Sequence, residues 1–160
     1  MLGRLLNAVV SVALAALTAA PGSPGFDWAV DLGQGRAVHA FTVGGVLRAA
    51  GPVALLTLPA HAPREPVRRV AARLAAMVPT GSAVELLLRG RLAGGRWTPW
   101  QTIEPGVPTQ LPGPAGRVQL RVLLTGTGAA RATVRGLWLH AEPAAGFSVA
   151  APPAPVAFQV

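Results

Sequence analysis

The sequence predicts an all-β domain, a sandwich or barrel. Three observations carry this. From Phe26 onward, short apolar stretches alternate with Gly and Pro turns. Two of the stretches alternate apolar and polar residues with the period of a half-buried strand. And 19 Gly with 16 Pro in 160 residues leave few windows for a long helix.

Elements follow in chain order. Residues 1–22 read as a secretory signal peptide with a helical apolar segment. Arg4 precedes an apolar run interrupted only by Asn7 and Ser11, small residues follow at Thr18, Ala19 and Ala20, and Pro21 and Pro24 stop the pattern. The run is shorter than the ~20 apolar residues a membrane span needs, so no stable span is expected after cleavage. The net charge of +8 then falls by one.

The β domain is placed at 26–142. Residues 26–32 are a first strand. Residues 37–47 are a second, with a turn or bulge at Gly44-Gly45. Residues 53–58 form a continuous apolar run between Pro52 and Pro59, expected to be buried on both faces. Residues 66–78 fit two readings. Val67, Val70, Leu74 and Met77 have helical spacing behind Pro66, while Val70, Leu74 and Val78 also line one face of a strand.

Residues 83–91 give a cleaner pattern. Val84, Leu86 and Leu88 point one way, Glu85, Arg89 and Arg91 the other, with Leu87 out of step. Ala93-Gly94-Gly95 supplies a hairpin turn, and residues 96–103 are expected to return as the partner strand. In residues 117–125, Val118, Leu120, Val122 and Leu124 oppose Arg117, Gln119 and Arg121. Residues 133–142 are partly apolar on both faces, Val134, Trp138 and His140 against Leu137 and Leu139, which suits a central strand. Residues 143–160, with Pro152, Pro153 and Pro155 among many Ala, read as a linker or surface arm.

Composition excludes several chemistries. There is no Cys, hence no disulfide, no thiolate nucleophile and no Cys-ligated metal. His39, His61 and His140 have no ligand spacing, so no metal or cofactor is expected. Asp27 and Asp31, four apart, would share one face of a strand and form either an acid pair or solvated edge charges. Ser148 sits in a near miss to G-x-S-x-G without the strand–turn–helix setting that motif requires. Gly33-Gln34-Gly35 lacks the third glycine of a dinucleotide fingerprint and reads as a turn.

All 14 basic residues are Arg, and they are spread over several strands. That pattern does not suit nucleic acid; attraction to an anionic wall polymer is the milder consequence. The cluster with most chemical content is Arg89, Arg91, Trp97 and Trp100 around the hairpin. Arg and Trp together stack on sugar rings or hold anions. In a plain strand Trp97 and Trp100 face opposite sides, so one of them is expected in the core. Pro99 between them suggests an edge or bend.

From about Arg73 to Glu142 the order of short motifs is familiar. It runs Pro79-Thr80-Gly81-Ser82, Leu88-Arg89-Gly90-Arg91, Arg96-Trp97-Thr98-Pro99-Trp100, Val118-Gln119-Leu120-Arg121-Val122 and Gly136-Leu137-Trp138. This resembles the secreted β-sandwich accessory domain found N-terminal to bacterial C39-like peptidases and related cell-wall hydrolases. The resemblance implies a galactose-binding-like jelly roll, and it favours strand over helix for 66–78. Where that family carries a Ser-Trp-Asn-like segment, this chain has Leu74-Ala75-Ala76-Met77. The family's catalytic domain is missing, so peptidase activity does not carry over.

The expectation is therefore an exported, non-catalytic accessory or ligand-binding module at the cell envelope. Its expected partner is carbohydrate, peptidoglycan or another wall polymer, met through Arg89, Arg91, Trp97 and Trp100. A second expectation is an assembly subunit of a secreted or cell-surface complex that docks on a protein partner through the 143–160 tail.

Overall fold

In a computed structural model of the chain, residues 25–144 are described. The segment expected to be a signal peptide, 1–22, and nearly all of the expected 143–160 tail lie outside them. The described residues are all-β: β1 (Phe26–Ala29), β2 (Arg36–Val38), β3 (Ala40–Val43), β4 (Val46–Ala49), β5 (Val53–Thr57), β6 (Val67–Met77), β7 (Ser82–Leu92), β8 (Gln101–Ile103), β9 (Thr109–Gly126) and β10 (Thr133–Pro143). Among the described residues no helix is long and apolar enough to cross a membrane; strands account for their regular structure.

Ten strands make one sheet that folds back on itself, and β9 is where it folds. Its first part pairs with β6, Val70 opposite Thr109 and Arg69 opposite Gln110. From Arg117 onward it runs between β7, with Leu88 opposite Leu120, and β5, with Leu56 opposite Val122. The change of partner falls at Ala115–Gly116, where the register with β7 shifts between Arg91 and Leu92. One half-sheet is thus β2-β5-β9-β7-β8. The other is β3-β4-β10-β6-β9, with β1 also laid on β10.

The two halves face each other over a single apolar core. Leu56, Leu86, Leu88, Leu120, Val122 and Leu124 come from the first half. Leu47, Val67, Val70, Val134, Leu137 and Leu139 come from the second. Burying a Val or Leu side chain contributes about 1.5–3 kcal/mol, so this cluster supplies most of the force that closes the sheet.

Residues 66–78 are strand. Their helix-like spacing has a structural cause. Against β10, Arg69 lies opposite Glu142 and Val67 opposite Pro143, which leaves Arg68 as an extra residue in β6, so Val67 and Val70, three apart, are both fully buried. A bulge in β10 between Val134 and Gly136 does the same for Val134 and Leu137, which is why that strand's two faces seemed equally apolar. The first strand stops at Ala29, short of the expected residue 32. The 37–47 segment is three strands, because His39, with φ 52°, turns the chain between β2 and β3. The partner of β7 is only three residues long, Gln101–Ile103; residues 96–100 form a loop instead.

Gly126 ends β9 against the backbone. A Cβ there would overlap the carbonyl oxygen of Ala130, and no rotamer change moves a carbonyl held in the turn that leads into β10. Gly126→Ala is expected to destabilise the fold by about 1–3 kcal/mol, the cost of overpacking, seen as a lower thermal midpoint. An unchanged midpoint would show that the 126–130 turn can open without loss.

Candidate functional site

The outer face of β7 and β9 collects the Arg/Trp residues. On β7, Arg89 points away from the buried Leu88. On β9, Gln119 and Arg121 flank the buried Leu120. Cross-strand register sets Arg89 directly opposite Gln119, and Arg121 opposite Leu87 on one side and Thr57 on the other. Arg89 Nε and Nη2 both donate to Gln119 Oε1, at 2.9 and 2.7 Å. Gln119 Nε2 donates in turn to the Leu58 carbonyl at 2.8 Å. Arg121 Nε donates to Thr57 Oγ1 at 3.1 Å. Both guanidinium groups are held by these bonds.

The loop after the hairpin lays two indoles on them. The turn itself uses positive φ at Gly94 and Gly95. Thr98 then returns to β7, its backbone N–H donating to the Gly90 carbonyl at 2.8 Å and its Oγ1 accepting from the Gly90 N–H at 3.0 Å. Thr98 is the buried residue of this loop. Trp97 and Trp100 are both half-buried on the outer side. The expectation that one of them enters the core is therefore corrected: 97–100 is not a continuous strand, and Thr98 takes the inward position.

The Arg89 guanidinium carbon lies 4.4 Å from the Trp97 ring centre and 4.5 Å from that of Trp100. Arg121 lies 4.3 Å from Trp100. Two cations thus share one indole. Partial burial lowers the Arg89 pKa from its ordinary value, and repulsion from Arg121 lowers it further. Neither arginine has an acidic side chain at ion-pair distance among the described residues.

Arg91, the fourth residue expected in the cluster, is exposed at the end of this face. It sits directly opposite Arg117, and its Nε donates to the Gly95 carbonyl at 3.0 Å. The structure thus joins the expected Arg89, Trp97 and Trp100 to Gln119, Arg121 and Thr57, and sets Arg91 beside Arg117. The sequence had placed Arg117, Gln119 and Arg121 outward on a strand, but not next to Arg89.

Compared with protein-family models, curated proteins and solved structures, the chain matches none. The site therefore has to be read from its own geometry.

The remaining candidates for acid–base chemistry are dispersed. His140 Nδ1 and Asp27 Oδ1 are 2.8 Å apart across β10 and β1, the His mostly buried and the Asp exposed. The Asp27–Asp31 pair does not form, because β1 has ended before residue 31. Asp31 Oδ1 instead accepts from the Gly33 N–H at 2.9 Å in a turn. Glu142 pairs with Arg69 at 3.3 Å. His61 stacks on Trp28, ring centres 4.3 Å apart, and partial withdrawal from water lowers its pKa. Among the described residues no three His, Asp or Glu side chains gather as a metal site.

Proposed function

We propose that this chain is an exported, non-catalytic β-sandwich of the galactose-binding-like jelly-roll kind. It holds an anionic polysaccharide of the cell envelope on the outer face of β7 and β9. One observation carries the reading. Arg89 and Arg121 converge on Trp100 with no carboxylate among the described residues to neutralise them, although like charges at this range repel. A bound carboxylate would relieve that repulsion and form charge-assisted hydrogen bonds with guanidinium donors. Half-exposed indoles beside the arginines offer apolar surface to a sugar ring. The sheet that doubles back at β9 over one core supports the jelly-roll assignment.

The test is chromatographic. The full chain is passed over immobilised polygalacturonate and over neutral dextran at low ionic strength. Retention on the acidic resin alone, reversed by salt, is expected. Free passage through both resins would remove the proposal.

A further inference from the structure

A second feature lies at the corner where β9 changes partners. A cavity of about 310 Å³ opens beside the cross-strand pair Arg91 and Arg117. Its walls are apolar: Pro66, Leu92, Ala93 and Pro114, with Gly116 between the strand segments. Like charges directly opposite on neighbouring strands are unfavourable, and here they rim a recess. Arg91 is anchored through Nε on Gly95, which leaves its terminal nitrogens for another partner. Among the described residues the Arg117 side chain has neither a hydrogen bond nor an ion pair.

We propose that this cavity is a subsite for a single uronic-acid unit, with the carboxylate between Arg91 and Arg117 and the sugar ring against the proline and leucine walls. The inference deepens the polysaccharide reading above and rests on its choice of an acidic saccharide. Its volume is at the small end of ligand sites, about 300–1,000 Å³, which suits one or two sugar units rather than a long segment. A planar carboxylate matches paired guanidinium groups. The C–H surfaces of Pro66, Pro114 and Leu92 suit the apolar face of a pyranose.

Gly116 gives a clean way to close the site. A Cβ built there meets nothing within 4 Å, and its backbone is not in the left-handed region. Gly116→Leu therefore has room to fold while occupying the recess. Arg117→Gln removes charge without adding bulk. Neither residue belongs to the Arg89–Trp100–Arg121 stack.

The experiment titrates the full chain with trigalacturonate, its methyl ester and glucose 6-phosphate, by calorimetry and amide NMR. Circular dichroism checks each variant's fold. The acid trimer is expected to bind at least about tenfold more tightly than the ester or the phosphate. Gly116→Leu and Arg117→Gln should each weaken trimer binding about tenfold, whereas Arg135→Gln, an exposed charge on β10 outside both the face and the pocket, should stay within about twofold, in line with a loss of roughly 1.4 kcal/mol per tenfold. Equal binding of acid and ester, tighter binding of the phosphate, or a folded Gly116→Leu that binds like the parent would overturn the subsite. Polymer retention that Arg121→Gln weakens, with no effect of the pocket variants on the trimer, leaves the face standing and removes the pocket. Trimer binding through the pocket without polymer retention removes the face alone.

Discussion

Leu88→Ala is expected to lower the unfolding free energy by about 3 kcal/mol, within the 2–5 kcal/mol seen for large-to-small core changes. Leu88 has no exposed surface. It lies near the middle of the long β7–β9 ladder, opposite Leu120, and belongs to the cluster that both half-sheets share. Its loss leaves a cavity between two sheets that cannot both move inward, since β9 belongs to both. The neighbouring Leu87→Ala is the control. Leu87 is half-buried on the outer face beside Arg121, and its truncation should cost about 1 kcal/mol or less. Urea unfolding with an unchanged slope would read both as midpoint shifts. A larger shift for Leu87→Ala than for Leu88→Ala would mean that β7 is registered one residue away from the described pairing, because a one-residue slip exchanges its two faces.

That register could be read in the sequence because 83–91 and 117–125 alternate almost without fault. Elsewhere the pattern was obscured by specific backbone events. Two bulges in the β6–β10 pairing put apolar residues three apart on the same side in β6 and β10, so one strand resembled a helix and the other a two-faced strand. The first part of β9 contains Pro112 and Pro114 and gave no strand signal. It is tolerated because Thr109 and Gln110 pair only with β6, leaving one edge without a ladder to satisfy.

The site was legible in halves. The hairpin Arg/Trp residues could be identified from local sequence. Gln119 and Arg121 could be seen to point outward, but adjacency across a separation of 30 residues depends on strand pairing, which local pattern does not encode. Trp97 and Trp100 were misassigned for a similar reason: Thr98 bonds to Gly90 on both its N–H and its hydroxyl, and that tertiary clamp overrides the parity rule.

The double change Arg89→Gln, Arg121→Gln separates binding from architecture. On polygalacturonate it is expected to weaken affinity about thirtyfold, from on the order of 1 kcal/mol for each lost cation. Stability should move far less. Each cation–π contact at a partly exposed site contributes about 0.5–1 kcal/mol, but removing both charges also removes the repulsion that lowers the Arg89 pKa. The Gln side chains keep donors for Gln119 and Thr57. The net change in unfolding free energy should therefore lie within about 1 kcal/mol, a balance of terms of opposite sign. Salt supplies an independent reading. Raising ionic strength shortens the screening length from about 10 Å at 0.1 M to about 3 Å at 1 M, so affinity of the parent should fall steeply while that of the variant changes little. If the arginines serve only to seat the two indoles, the result reverses: the double variant loses stability by several kcal/mol, and whatever polymer binding survives keeps the parent's salt dependence. The combination of retained fold, lost affinity and flattened salt response is one that a purely structural Arg–Trp stack cannot produce.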